Sequence, residues 1–143
     1  KVIANIPYYI TGELLRLFLT AAPQPKSVSF LVQKEVAERI ARSKKESILS
    51  LSVKAYGTPQ YVQTVKAGSF NPPPNVDSAI VAISDISRTH FASDAHEKRF
   101  FELVHLGFGQ KRKTLLGNLK RKYPTSDVGY FLGTTKDLTE REV

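Results

Sequence analysis

Between Val2 and Ile86 the apolar residues switch repeatedly between the two-residue period of a strand and the 3.6-residue period of a helix, which restricts this stretch to an α/β sheet. Val2-Ile3-Ala4 predicts a short buried strand. It ends at Asn5-Ile6-Pro7-Tyr8-Tyr9, because Pro7 has no amide hydrogen for a ladder and pushes Ile6 to extended geometry. A helix follows, with Thr11 as its expected N-cap and Leu14, Leu15, Phe18, Leu19 and Ala22 on one face, until Pro23 and Pro25 stop it. Val28, Phe30 and Val32 alternate as a strand, and Gln33 to Arg42 predicts a helix burying Val36, Ala37 and Ile40. Beyond a polar loop, Leu49, Val53 and Tyr56 keep helical spacing up to the stop at Gly57-Thr58-Pro59. Tyr61 to Ala67 and Val76 to Ile86 are rich in β-branched residues and predict two strands open to antiparallel pairing, joined by a segment too rich in proline for a helix.

From about residue 90 the pattern becomes helical only, which divides the chain into an α/β part (1–89) and a smaller helical part (90–143). Asp94-Ala95-His96-Glu97 has the spacing of a capping box before Phe100, Phe101, Val104 and Phe108, and Gly107 and Gly109 are expected to interrupt that helix. Lys113 to Tyr123 predicts a second helix with Leu115, Leu116 and Leu119 inward, ended by Pro124. Thr139-Glu140-Arg141-Glu142 repeats a capping spacing one residue before the last, and Lys1-Val2-Ile3 has no initiator character, so more chain is expected on both sides.

Composition narrows the chemistry. With no cysteine in 143 residues, disulfides, zinc-thiolate sites and cysteine nucleophiles are excluded. No apolar run approaches the ~20 residues of a membrane span, and a cytoplasmic location is the default expectation. His90, His96 and His105 lack the spacing of a metal site, so no metal is expected. Twenty-one Lys and Arg against 13 Asp and Glu leave a net charge of +8, which suits a polyanionic partner.

Three constellations can carry function. Asn5-Ile6-Pro7-Tyr8 follows a strand directly, and the C-terminal ends of strands are where α/β sheets bind ligands. An amide oxygen at Asn5 and a backbone carbonyl beside Pro7 can accept N–H bonds from the exocyclic amine of a purine while Tyr8 stacks on its ring. The same residues also suit a plain turn with both tyrosines in the core. Next, Phe70-Asn71-Pro72-Pro73-Pro74-Asn75-Val76-Asp77-Ser78 holds Phe70 on a stiff, extended segment, either as a second aromatic wall or as a core plug with Asp77 and Ser78 capping local backbone. Finally, Lys111-Arg112-Lys113 and Lys120-Arg121-Lys122 put six basic and no acidic residues into positions 110 to 122, about two and a half helical turns apart. They form either one phosphate-binding surface or a solvated face. Gly107-Phe108-Gly109 lacks the preceding strand of a phosphate loop, and Lys34, Arg39, Arg42, Lys44 and Lys45 are interleaved with Glu35, Glu38 and Glu46 as ordinary surface.

Taken in order, Asn5-Ile6-Pro7-Tyr8-Tyr9-Ile10-Thr11, Gln33-Lys34-Glu35-Val36-Ala37-Glu38-Arg39, Leu51-Ser52-Val53, Phe70 through Ala79 and Phe108-Gly109-Gln110-Lys111-Arg112-Lys113-Thr114-Leu115 resemble the ribosomal RNA adenine N6,N6-dimethyltransferase family. The Pro-Pro-Pro-x-Val-Asp-Ser and Arg-Lys-Thr-Leu segments favour its small-subunit branch, associated with kasugamycin sensitivity, over the large-subunit resistance methylases. The resemblance implies the C-terminal part of a Rossmann-like, S-adenosylmethionine-dependent methyltransferase domain followed by a small helical RNA-binding domain. It implies dimethylation of adenine N6 in a small-subunit (16S-type) rRNA hairpin loop, with immature small ribosomal subunits as partner. Asn5, Pro7 and Tyr8 would be catalytic, Tyr8 and Phe70 would stack on the base, Asn5 would also touch the cofactor, and the two basic triplets would bind RNA. No Gly-x-Gly-x-x-Gly follows a strand here, so the cofactor loop of the family is not in these residues, and Gly133 to Leu138 is shorter than the family's usual approach to its last helix. The rival expectation is a non-enzymatic basic module for rRNA binding or ribosome assembly. A generic DNA-binding helical domain would explain the basic helix but not the α/β part.

Overall fold

A computed structural model describes residues 1–110 and 112–123 of the chain, which separates into two compact units, Lys1–Phe91 and Ala92–Val143. The first holds β1 (Val2–Asn5), α1 (Thr11–Thr20), β2 (Val28–Gln33), α2 (Lys34–Ala41), α3 (Ile48–Tyr56), β3 (Thr58–Val65) and β4 (Ser78–Ser84), with single 3-10 turns at Tyr8–Ile10 and Ala67–Ser69. The strands form one sheet in the order β1-β2-β4-β3. β1 runs parallel to β2, with Val2 opposite Val28 and Asn5 opposite Leu31. β4 is antiparallel to both of its neighbours, so that Gln33 and Val65 flank Ser78 on either side.

The central strands supply the core. Val28, Phe30 and Val32 of β2 and Ala79, Val81 and Ile83 of β4 are buried, as are Ala37 and Ile40 of α2, which packs on β2, β3 and β4. Each large apolar side chain here contributes about 1.5–3 kcal/mol by leaving water. Phe18 of α1 meets Phe30 with ring centroids 5.7 Å apart. Leu15 and Leu19 carry the buried stripe of α1, Leu14, Phe18 and Val36 are half-buried, and Ala22 lies beyond the helix end in solvent.

Several expectations are corrected. β1 is not buried: Ile3 is 72% exposed, because β1 pairs only with β2 among the described strands and its outward face carries no described cover. Thr11 is the first helical residue rather than the N-cap, which is Ile10; its hydroxyl instead donates to the Tyr8 carbonyl at 3.0 Å. β3 starts three residues early, at Thr58, and tolerates Pro59 because it is an edge strand. A register shift between Tyr61 and Gln63 leaves Val62 half exposed. α3 begins with a reciprocal cap between Ser47 and Ser50. Burial pushes the neighbouring Glu46 carboxyl up, yet hydrogen bonds from Lys54 and Ser50 outweigh it and hold the group below its ordinary range. At the end of α3, Gly57 is dictated by space: a Cβ there would lie 2.6 Å from the Ser84 carbonyl oxygen.

The second unit contains α4 (Asp94–Gly107) and α5 (Leu115–Leu119) among its described residues. Ser93, one residue before the predicted box, caps α4 by accepting from the His96 amide at 3.2 Å. Gly107 is the last residue of that helix, pressed against Leu115, rather than a break inside it. α5 is half the predicted length: Thr114 caps it through the Gly117 amide, and the chain turns after Leu119. Leu119 is buried there and Leu115 and Leu116 are half-buried. Pro124, Gly133 to Leu138 and Thr139 to Glu142 lie outside the described residues.

Candidate functional site

The parallel strands β1 and β2 end on the same edge of the sheet, at Asn5 and Gln33. Asn5 is exposed at that edge. The next residue, Ile6, is buried and pins the turn, and Pro7 sets extended geometry with φ −59° and ψ 133°. The Pro7 carbonyl accepts the Ile10 amide at 3.2 Å, closing the 3-10 turn that carries Tyr8. A carbonyl oxygen has two lone pairs, so this bond leaves one acceptor site on it.

Tyr8 is half-buried, which removes the reading of both tyrosines as core residues: Tyr9 is 87% exposed. The Tyr8 hydroxyl lies 2.6 Å from Oγ of Ser78. That contact joins two segments 70 residues apart, the Asn-Ile-Pro-Tyr turn and the start of β4. Asp77, the preceding residue, accepts the Ala67 amide on Oδ1 at 3.0 Å and the Lys66 ammonium on Oδ2 at 3.0 Å. These bonds, the Ala67 amide first, hold the Asp77 carboxyl below the usual aspartate range. The Asp77 carbonyl also accepts the Lys34 amide at 3.0 Å, which starts α2. Ala67 opens the 3-10 turn that closes on Phe70, whose amide donates to the Ala67 carbonyl at 3.2 Å. Phe70 is half-buried, so it is neither a fully enclosed plug nor a free ring. Asp77 does cap local backbone, as one sequence reading had it, whereas Ser78 reaches across the fold. A depression of about 350 Å³ lined by Gln33, Lys34, Glu35, Glu38, Val76 and Asp77 lies beside this junction.

The structure thus links Tyr8 and the Phe70 segment through Asp77-Ser78. Sequence reasoning missed the partner of Ser78; its local signal is a hydroxyl opening a strand whose next five residues are Ala, Ile and Val.

In the helical unit, Arg112, Lys113, Lys120, Arg121 and Lys122 are exposed, and Lys111 lies outside the described residues. The helix expected over Lys113 to Tyr123 is shorter at both ends: Arg112 and Lys113 precede α5, and Lys120, Arg121 and Lys122 follow it in a turn. Lys122 pairs with Glu102, and Arg99 stacks over the Tyr123 ring at 4.6 Å. Buried Asn118 donates to the carbonyls of Gly107 at 2.8 Å and Gln110 at 3.2 Å, which fixes the loop leading into the first triplet. On α2, Lys34 and Arg39 pair with Glu38 and Glu35, and Arg42 stacks on Tyr61 at 3.6 Å. Among the described residues no three His, Asp or Glu side chains cluster as a metal site, and no helix is long and apolar enough to cross a membrane.

The family model described as ribosomal RNA adenine dimethylase matches residues 1–141. The ribosomal RNA small subunit methyltransferase A of Dehalococcoides mccartyi strain CBDB1 is 49% identical over 120 residues, covering 83% of this chain and 41% of that protein. The chain therefore spans less than half the length of this curated relative. Two solved structures superpose well. A dimethyladenosine transferase from Plasmodium falciparum gives a TM-score of 0.73 at 32% identity, over 92% of this chain and 48% of that one. The 23S rRNA methyltransferase ErmE gives 0.71 at 25% identity, over 96% and 59%. These likenesses place the fold among the Rossmann-like methyltransferases. With a family match running along nearly all of its length, the chain belongs to the ribosomal RNA adenine dimethylase family.

Proposed function

We propose that this chain is the base-presenting and RNA-gripping portion of an enzyme that dimethylates adenine N6 in small-subunit rRNA. The observation that carries the reading is the Asn5-Ile6-Pro7-Tyr8 turn at the C-terminal edge of a parallel strand pair, with Tyr8 tied to the Phe70-bearing segment, in a chain of this family. When bound, S-adenosylmethionine supplies an electrophilic methyl group. The chain's contribution to holding it is the Asn5 side chain, an acceptor exposed where α/β sheets bind nucleosides; the Gly-rich loop for the rest of the molecule is not among the 143 residues.

The residues present act on the adenine. Asn5 Oδ1 and the free lone pair of the Pro7 carbonyl accept the two N6–H bonds, which orients an amine whose lone pair is otherwise delocalised into the ring. Tyr8 and Phe70 hold the flipped base between π faces, and those faces favour the positive charge that develops on N6 as the new N–C bond forms. The methyl–sulfur bond of the donor would break as the N–C bond forms, S-adenosylhomocysteine would be the leaving group, and the N6 proton would pass to water. Arg112, Lys113, Lys120 and Arg121, with Lys111, grip phosphate, so the helical unit acts as the RNA-binding domain, and the immature small subunit is the partner. A cytoplasmic location is part of this reading.

The test is methyl transfer from labelled S-adenosylmethionine to a small-subunit rRNA hairpin by the full-length enzyme, with N6,N6-dimethyladenosine as the expected product. Absence of that product would refute the reading. The 143-residue chain by itself is expected to bind the hairpin without binding the cofactor; micromolar cofactor binding in calorimetry would overturn the assignment of the cofactor site to residues outside it. A purely RNA-binding role predicts no methyl transfer even with the remainder of the enzyme present.

A further inference from the structure

We infer that Asp77-Ser78 is the positioning unit of the base site, a dipeptide that sets the separation of Tyr8 from the Phe70 segment. The inference deepens the proposed function and rests on it for its kinetic arm. Ser78 is fully buried and begins β4, the strand flanked by β2 and β3, so its backbone is held by ladder pairing on both sides. For packing alone an alanine would serve at this position, as Ala79 does next to it. The hydroxyl instead spends its hydrogen bond on Tyr8, 2.6 Å away.

Asp77 works in another direction from the adjacent position, since successive side chains leave an extended chain on opposite sides. Its carboxylate holds the Ala67 amide and the Lys66 ammonium, and the turn that starts at Ala67 ends on Phe70. Its carbonyl meanwhile holds the first amide of α2. Tyr8 and the Phe70 segment are therefore both referenced to one point on the central strand. A flat base stacks well on both only when the gap between the walls is kept near two ring thicknesses, and a shared reference keeps that gap constant as the loops move.

The experiment is a double-mutant cycle in the full-length enzyme. Ser78→Ala and Tyr8→Phe delete the two halves of one hydrogen bond. Each is expected to lower the single-turnover methylation rate by about threefold to tenfold with KM for the hairpin within twofold, and the double variant should be no slower than the worse single one. Asp77→Ala should add its own loss multiplicatively, whereas Asp77→Asn, which keeps an acceptor for the Ala67 amide, should recover most of it. A Ser78→Ala enzyme with wild-type rate, or losses from Ser78→Ala and Tyr8→Phe that multiply, would overturn the inference. If the wild-type enzyme transfers no methyl group, the proposed function fails first. The positioning claim is then decided in the same protein by NMR, where the Tyr8 ring contacts to residue 78, set by the 2.6 Å hydroxyl pair, should be lost in Ser78→Ala, and their persistence would refute it.

Discussion

Replacing Arg112 and Lys113 by alanine gives a direct measure of whether the helical unit grips phosphate. Both side chains are exposed and hold no ion pair among the described residues, so each is free to displace a counterion from RNA. A released counterion contributes about 0.7 to the slope of log affinity against log salt on single strands and about 0.9 on duplex. The double variant should therefore flatten the slope by about 1.4 to 1.8, and the ratio of wild-type to variant affinity should shrink about 7- to 12-fold between 50 and 200 mM salt. Fluorescence anisotropy with a labelled rRNA hairpin at three salt concentrations reads both quantities. Lys122 provides the internal contrast. Because it pairs with Glu102, Lys122→Ala should change the slope less than Lys120→Ala, which removes an exposed cation. An unchanged slope for the double variant would return these residues to the status of a solvated surface, and equal effects at positions 120 and 122 would show that the Glu102 pair does not restrain Lys122.

Other perturbations test the remaining links. Asn5→Ala should lower the methyl-transfer rate of the full-length enzyme far more than RNA affinity, which phosphate contacts dominate; a near-wild-type rate would remove Asn5 from amine alignment. Tyr8→Ala should weaken base binding by about 1–3 kcal/mol in a binding titration with the hairpin, more than Tyr8→Phe, and equal losses would assign the role to the hydroxyl rather than the ring. Gly57→Ala should destabilise the chain by about 1–3 kcal/mol in urea unfolding, since its Cβ would meet the Ser84 carbonyl and Ile83; an unchanged midpoint would mean that β4 yields freely there. Asp77 titrates below the ordinary aspartate value when folded, so its contribution to stability is complete above that ordinary value and is lost as pH falls through the lowered one. Unfolding midpoints of wild type and Asp77→Asn should therefore converge in acid and separate toward neutrality, and parallel curves would exclude the linkage.

Local periodicity carried the fold class because each strand and helix of the first unit owes its form to residues within a few positions of one another. Val28, Phe30 and Val32 alternate, and Ala37 and Ile40 share a helix face, whatever else the chain does. Strand order is another matter. Nothing local in Ser78 to Ser84 says that this strand inserts between β2 and β3, yet that insertion buries β4 while β1, with a similar apolar sequence, keeps Ile3 in water. Burial is a property of neighbours, and neighbours come from topology.

The same distinction governs the candidate site. Asn5, Pro7 and Tyr8 could be singled out because a stiff turn after a strand is a local pattern with a chemical meaning. The second basic triplet was legible as charge but not as geometry, since the 3.6-residue extrapolation runs the helix on to Tyr123, whereas α5 ends at Leu119. Ser78 was legible only as the close of a motif, because its partner lies 70 residues away and no periodicity connects them. A pairing of that kind has a physical signature all the same. A hydroxyl at the first position of a central strand must either find a partner or leave an unsatisfied polar group in the core, so its presence there implies a contact from outside the strand. In this chain the contact comes from the ring proposed to hold the base, and one hydroxyl pair therefore couples a strand paired on both sides to the turn that carries Asn5 and Pro7.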